Sequence, residues 1–451
     1  MSNAPQTFDE YVEQMKRTSG PLMDEREWET VIAPNLEEIR QSLERGGGGP
    51  DDEAHWALVR KQFTFDHEKG HLNTGTLGAS PLYVRRKTVE LREVSEREPW
   101  HHQGWVHRCE QEAIQKVAAL LNAQPGEITF TRNITESMIQ VATGLDLRRG
   151  DVVVTTNREH GGGRVSWDMA HDWHGVHVEN VPIPDVVEDA DGLDEATIEL
   201  FRHTFERYNT PKYAKKKKLL SVSHIFSPLA RRMPVKALCA LAREYGYLSY
   251  VDGAQTVGMI RFDLHDIGCD FYGNSPHKWL LAPKGTGILY ARNESIAHLK
   301  GMHTKATWKS WKTNNAALSA RPFGARGTHD VAACGGIGFA VDFLNLIGGI
   351  DRVEARGWGL ACRLRDGIER LPGLKFITPN QPKHTPIERR LSGAMTAFVL
   401  DGAGNMGEQL RNRYGIDFPA SDRWARVSTH YYNTPAQVDR IVQALRAIAG
   451  R

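Results

Sequence analysis

Val251–Asp252–Gly253–Ala254–Gln255 and Ser275–Pro276–His277–Lys278–Trp279 are the stretches from which the rest of the chain can be read, and they set Lys278 26 residues beyond Asp252. Short apolar runs border them: Leu248–Val251 before the aspartate, Asp270–Gly273 before the lysine turn, Gly285–Tyr290 after it. Runs this short, without polar alternation, fit strands buried on both faces. The pattern repeats outward. Glu127–Thr131, Asp151–Thr156 and Leu219–His224 read as further strands. Glu110–Ala123, Ile134–Leu145 and Pro234–Tyr245 read as helices, the last opening on a proline in its first turn. Alternating strands and helices predict an α/β fold around a mostly parallel sheet with both faces covered. Ligands of such sheets sit beyond the strand ends, where Asp252, Thr135 and His160 fall.

Three parts are expected. Residues 1–64 form an N-terminal helical extension, in which Val31, Ile32, Leu36, Ile39 and Leu43 recur at close to helical spacing before Gly46–Gly49 and Pro50 break the pattern. Residues 65–340 form the large domain. Residues 341–451 form a smaller α+β domain, with helical patterns over Ile350–Arg370 and Pro435–Ala449 and strand-like Gly393–Leu400 and Ala425–Ser428 between them.

With 57 basic against 55 acidic residues, nothing in the charge calls for nucleic acid or a membrane surface as partner. The Lys215–Lys218 run reads as a solvated loop before a buried strand. Val331–Ile350, the most apolar long window, holds five glycines with Asp342 and Asn345 and reads as a core helix, not a membrane span. Five cysteines with no CxxC spacing argue against a disulfide framework or a zinc site; no metal is expected, and a reducing compartment fits. The opening MSNAPQTFDEYVEQ lacks the apolar stretch of a signal peptide, so the expected location is the cytoplasm.

An acid at one strand end and a lysine in a nearby polar turn suit pyridoxal 5'-phosphate (PLP). The Lys278 amine can condense with the cofactor aldehyde, and the Asp252 carboxylate can keep the pyridine nitrogen protonated. Gln255 can donate to the phenolic oxygen. The phosphate needs amides at a helix start plus hydroxyls, which the turn Phe130–Asn133 and the helix opening at Ile134 and Thr135 supply; Ser275 and His277 can donate to the same group. Taken alone, Thr135 reads as a plain N-cap. His160, in Asn157–Arg158–Glu159–His160–Gly161, can stack on the ring and relay protons, its ordinary alternative being a satisfied surface histidine.

In seven blocks the chain resembles the class V aminotransferases of PLP fold type I, in their isopenicillin-N-epimerase-like branch. The blocks are LNTGTLGASP (72–81), TRNITESM (131–138), NREHGG (157–162), YVDGAQTVG (250–258), DFYGNSPHKWLLAPKGTGILY (270–290), ARGTHD (325–330) and RVSTHYYNT (426–434). They span nearly all of residues 65–450, in order. The resemblance implies an aspartate-aminotransferase-like fold, with a mostly parallel seven-stranded sheet in the large domain and a smaller α+β C-terminal domain. It also implies that Lys278 holds the cofactor, Asp252 faces the pyridinium, Gln255 the phenolate, and His160 the ring. Ile134, Thr135, Ser275 and His277 hold the phosphate, and Thr328 serves the phosphate of a second subunit, which makes a homodimer with shared active sites. Arg426 grips the substrate α-carboxylate, and His224 and Asn73 lie on the substrate side.

Two departures bear on the reaction. Cysteine desulfurases of this class place a cysteine in the loop that here runs Tyr414–Arg423 without one; with no thiolate to take up sulfur, the departure argues against a desulfurase. Leu229 and Ala230 replace the small Thr-Gly-type pair usual in relatives, and the bulkier leucine is expected to reshape the substrate side. Trp100–Trp105 and His303–Lys312, two aromatic and basic segments, are candidates for setting specificity. The expected enzyme acts at the α-carbon of a small amino acid or amine, through an external aldimine and a quinonoid carbanion. Transamination or epimerisation with Lys278 moving the α-proton is the first reading. β-Eliminating C–S cleavage and decarboxylation stay open.

Overall fold

The computed structural model describes residues 7–19, 25–97, 99, 102–185, 190–300, 319–324 and 327–450. Helices α1 (Phe8–Ser19), α2 (Ala33–Glu44), α3 (Glu53–Arg60), α4 (Leu82–Arg97) and α5 (His102–Leu121) come first. Then β1 (Ile128–Thr131), α6 (Ile134–Gly144), β2 (Val152–Thr156), α7 (Gly161–His174), β3 (His177–Val181), α8 (Leu193–Arg207), β4 (Lys218–Ser223), α9 (Val235–Glu244), β5 (Leu248–Asp252), β6 (Phe271–Asn274) and β7 (Gly287–Ala291) alternate along the chain. Helices α10 (Val331–Leu346) and α11 (Gly349–Ile368) lead into β8 (Leu374–Phe376), β9 (Met395–Leu400), α12 (Met406–Tyr414), β10 (Trp424–Ser428) and α13 (Pro435–Ala449).

Strands β1 to β7 form one seven-stranded sheet in the order β1-β7-β6-β5-β4-β2-β3. The pairs β6–β5, β5–β4, β4–β2 and β2–β3 are parallel, and β7 runs against both of its neighbours. This is the α/β, fold-type-I architecture expected of the chain. Its inner strands are short, apolar and buried along their length, as Val152–Thr156 and Gly287–Ala291 illustrate. Each fully buried valine or leucine contributes on the order of 1.5–3 kcal/mol relative to exposure. A smaller antiparallel sheet, β10-β9-β8, packs its Phe398, Leu400 and Val427 with Leu364 of α11 and Leu445 of α13 in a second cluster.

Several elements depart from the sequence reading. Strand β3 was not expected: it pairs only with β2 at the sheet edge, and its HVENV sequence lacks the apolar signature of the inner strands. Helix α4 carries charges on buried positions, where Lys87 meets Glu90 at 3.1 Å, so its core face does not read as apolar. Helix α1 lies inside the expected helical extension, though its own pattern is not singled out in the sequence. It lays Val12 and Met15 into a cluster with Leu91, Val94, Val106 and Val331, stacks Tyr11 on Trp105 with ring centres 4.9 Å apart, and pairs Asp9 with Lys87 at 2.7 Å. Within the apolar window, α10 lies unusually close to α5: a Cβ on Gly338 would stand 2.9 Å from the Ala113 Cα. Among the described residues no single helix is long and apolar enough to cross a membrane; the one helix pair that reaches this apolarity together, α10 and α11, is bent by 74°.

Candidate active site

Lys278 stands in the turn between β6 and β7, and two glycines fix that turn. A Cβ on Gly78 would lie 2.0 Å from the Lys278 carbonyl oxygen, and one on Gly258, at φ +90°, would lie 2.5 Å from the Trp279 carbonyl. The Gly78 amide donates to the His277 carbonyl at 3.0 Å, tying LNTGTLGASP onto the lysine turn. Burial holds the Lys278 amine below its ordinary value and the Arg426 cation adds to this, while Asp252 opposes both.

Asp252 ends β5, the central strand of the large sheet. Its Oδ1 accepts the Ala254 amide at 2.9 Å, and its Oδ2 faces Gly163, where a Cβ would come within 2.8 Å. Burial pushes the carboxyl up; the Ala254 hydrogen bond, Lys278 and His160 pull it back only in part. Among the described residues no cation stands in ion-pair contact with it. His160 caps α7, its Nδ1 accepting the Gly162 amide at 3.1 Å. Desolvation, then the Lys278 cation and more weakly Arg426, hold its imidazole below the ordinary value against the pull of Asp252, which favours the uncharged ring.

Opposite, Asn133 and not Thr135 caps α6, its side chain accepting from Glu136. Thr135 is released from that duty, and its Oγ1 lies 3.2 Å from where a Gly162 Cβ would stand. The Ile134 amide meets Ser275 Oγ at 3.2 Å. His277 Nδ1 lies 2.7 Å from the Thr286 carbonyl and must donate to it. A second proton on Nε2 is then needed before His277 can donate to an anion, and burial, lowering its pKa, disfavours that proton.

Arg426, on β10, reaches from the small sheet to the segments around Asn73 and Ser227. Its NH1 donates to Ser227 Oγ at 2.6 Å and its NH2 to Asn73 Oδ1 at 3.1 Å and Thr76 Oγ1 at 2.9 Å. All of these acceptors are neutral. Among the described residues no carboxylate pairs with the guanidinium, its buried Nε has no partner, and burial alone brings it down to about 10. Gln255 joins this group, donating to the Gly75 carbonyl at 2.9 Å and weakly to Ser227 Oγ at 3.4 Å, and accepting from Trp279 Nε1 at 2.7 Å. Ser227 and Thr76 went unnoticed in the sequence. The one signal for them is a hydroxyl inside each of the segments flanking the arginine.

Other expected residues lie elsewhere. His224 is fully buried with Nδ1 3.0 Å from Tyr272 Oη, and it lines a separate cleft with Arg232 and Arg261; its amide bonds to Asp252, so the backbone and not the ring touches the site. Leu229 sits in the hydrophobic core, with its carbonyl bound by Thr378, because Ala230 turns the chain inward at φ +51°. Its bulk is therefore spent inside the fold. Thr328 lines a cleft of about 610 Å³ with Arg132, Glu136 and Lys284, a lining that does not include Lys278. His303–Lys312 and the Trp100–Gln103 side chains lie outside the described residues.

The set fits PLP on three counts: a buried carboxylate with no cation in ion-pair contact among the described residues, a helix start where the Ile134 amide meets the Ser275 hydroxyl and Thr135 faces Gly162, and a desolvated lysine that feels the carboxylate. The comparisons agree. Residues 94–441 match the family description "Aminotransferase class-V". Isopenicillin N epimerase from Amycolatopsis lactamdurans is 30% identical over 419 residues, 87% of this chain and 98% of that one. A probable cysteine desulfurase from Methanothermobacter thermautotrophicus is 30% identical over 361 residues, covering 75% of this chain and 84% of that one. Among solved structures, a mutant of C-DES with glycine covalently linked to its PLP cofactor superposes with a TM-score of 0.69 at 19% identity, covering 85% of this chain and 99% of that chain. Sequence, fold and site together place the chain in the class V aminotransferase family, with pyridoxal 5'-phosphate as its cofactor.

Proposed function

We propose that this chain moves the α-proton of a small amino acid that carries a free carboxylate, in an epimerisation or transamination, as a cytoplasmic homodimer. The observation that carries this is the Arg426 guanidinium, buried, held only by neutral groups, and left with an unpartnered Nε. An arginine in that state is set to receive an anion, and its planar fork matches a carboxylate. Ser227, Asn73 and Thr76 fix its direction. A carboxylate held there is kept from leaving, which favours proton chemistry over decarboxylation.

PLP, once bound, supplies an aldehyde to be held by lysine and a ring that takes up electrons from a bond broken at the α-carbon. The protein does the rest. Lys278 is assigned to hold the cofactor and afterwards to carry the proton, its amine lowered by burial and by Arg426 toward the range where it can both take and return one. Asp252 is assigned to the ring nitrogen: the proton that burial makes it reluctant to lose is replaced by a cation at the same place. His160 is assigned to the ring face, Gln255 to the phenolic oxygen, and Ser275, Ile134 and Thr135 to the phosphate, with His277 able to join them only when the phosphate's own charge draws a second proton onto its Nε2. Thr328 is assigned to the phosphate of a second copy.

A probable cysteine desulfurase of similar identity makes desulfuration the rival. The loop Tyr414–Arg423 holds no cysteine and all five thiols are buried, which supports the proton-transfer reading. The test is a panel of L- and D-amino acids, cysteine included, incubated with the holoenzyme in heavy water and followed by NMR. Deuterium at the α-carbon, with inversion or with a keto acid formed in step with cofactor amination, is the expected result. Alanine and sulfide from cysteine, or pyruvate, ammonia and thiol without α-deuteration of recovered substrate, would overturn it. Lys278→Ala must abolish the reducible, lysine-bound colour of the cofactor.

A further inference from the structure

The scattered cysteine positions argue against a zinc motif in the sequence, yet the fold brings one of them to a histidine and a glutamate. Glu110 lies on α5, and His329 and Cys334 flank the start of α10. The close approach of the two helices causes the meeting: a Cβ on Gly335 would stand 3.3 Å from the Cys109 Cβ, one residue before Glu110. The donor atoms of Glu110, His329 and Cys334 all lie within 4.8 Å of one another. A tetrahedral zinc with bonds of about 2.0–2.3 Å holds its ligand atoms about 3.3–3.8 Å apart, so small side-chain adjustments close the site.

The histidine is already oriented for the task. His329 Nδ1 is 2.8 Å from the Gly327 carbonyl, which can only accept, so Nδ1 carries the proton. Nε2 faces Glu110 Oε1 at 3.4 Å, a contact it makes as a donor when the ring carries a second proton and as a metal ligand when it does not. A divalent cation between the two atoms takes the place of that second proton. A ligating histidine whose other nitrogen donates to a backbone carbonyl is the usual second layer of a metal site. His107, one turn before Glu110, holds the second carboxylate oxygen at 3.3 Å and keeps it aimed. Access exists as well, since His329 and Cys334 line the 610 Å³ surface cleft.

The geometry points to a divalent metal site at Glu110 Oε1, His329 Nε2 and Cys334 Sγ, for a borderline-soft ion of the zinc class, with its fourth position open to the cleft. One nitrogen, one sulfur and one oxygen in a tetrahedral arrangement select zinc or cobalt over magnesium or calcium. Binding forms the sulfur–metal bond and releases the thiol proton to solvent, leaving two ligand negative charges against the ion's two positive ones. Its role is to pin residues 327–334, Thr328 among them, onto α5.

The test uses the holoenzyme, stripped with a chelator and then given zinc or cobalt(II) alone. One ion per chain is expected, with the visible bands of tetrahedral cobalt in the cobalt form and a rise in the thermal midpoint on adding zinc. Cys334→Ser and His329→Gln must each reduce binding at least tenfold, whereas Cys109→Ser, its neighbour, must not. X-ray absorption at the zinc edge of the unmutated protein is the second readout, and must show one sulfur at about 2.3 Å. Substoichiometric metal, binding unchanged in Cys334→Ser, or a zinc shell without sulfur would overturn the site and leave a bare glutamate–histidine pair.

Discussion

Near neutral pH Glu159 is divided between its two charge states, because burial, with Asp252 adding to it, lifts its carboxyl to about 7 against the Ser223 and Thr156 hydroxyls that hold it. The neutral acid is the form that the fold favours. Between about pH 4.5 and about pH 7 the native chain therefore binds more protons than the unfolded one, and stability falls as pH rises across that window. Glu159→Gln keeps the shape and removes the titration. The urea midpoint of this variant should be flat where the wild type declines, and above the wild type at about pH 8 by the equivalent of about 1–3 kcal/mol; parallel curves would show that Glu159 does not titrate there. At Arg426 the expectation is kinetic. Arg426→Ala should lower kcat/KM on the order of a hundredfold, chiefly through KM, and Arg426→Lys should recover little, since an ammonium lacks the fork. Steady-state kinetics on the substrate found in the NMR panel checks both.

Helix α10 depends on the small residues of its buried face. Gly338→Val puts atoms where the Ala113 main chain already lies and should cost about 1–3 kcal/mol. Gly104, on the exposed start of α5, has open space around it, and Gly104→Ala should stabilise by about 0.5–1 kcal/mol. Denaturant midpoints of the two variants, moving in opposite directions, check the pair. The same elements explain what was legible beforehand. Strands β5 and β6 could be read because their apolar runs end abruptly, at Asp252 before Gly253 and at Asn274 before the polar Ser275–Lys278 turn. Edge strand β3 could not, because one face of it meets water and its composition follows. In α4 the buried positions Arg86, Lys87 and Glu90 pair among themselves, so a helix facing the core looked like a surface segment. Within the site, Asp252, His160 and Lys278 each lie in a compact motif. The acceptors of Arg426 come from Asn73, Thr76 and Ser227, some 350 and 200 residues away in the chain, a distance that local pattern cannot span. Leu229 failed for a related reason, since a single left-handed residue decides which way its side chain turns.

Assembly is where the chain as a whole can be tested. If Thr328 serves the site of a second copy, Lys278→Ala and Thr328→Val are each defective alone but complement each other: a mixed dimer carries one site with both residues intact. Refolding the two variants together should restore about a quarter of the wild-type activity, and no recovery would place Thr328 outside the shared site. The thiols give the molecule a different kind of readout. All five are buried, so a thiol-reactive dye in the medium is consumed only when the native state opens. Cys334, bordering the surface cleft, should be modified through local breathing, quickly and with little dependence on denaturant. Cys239 and Cys269, shut in behind the central strands, should wait for the sheet itself to part. The dye trace then has a fast and a slow phase, and their ratio reports how far the rim of the protein comes undone before its centre does.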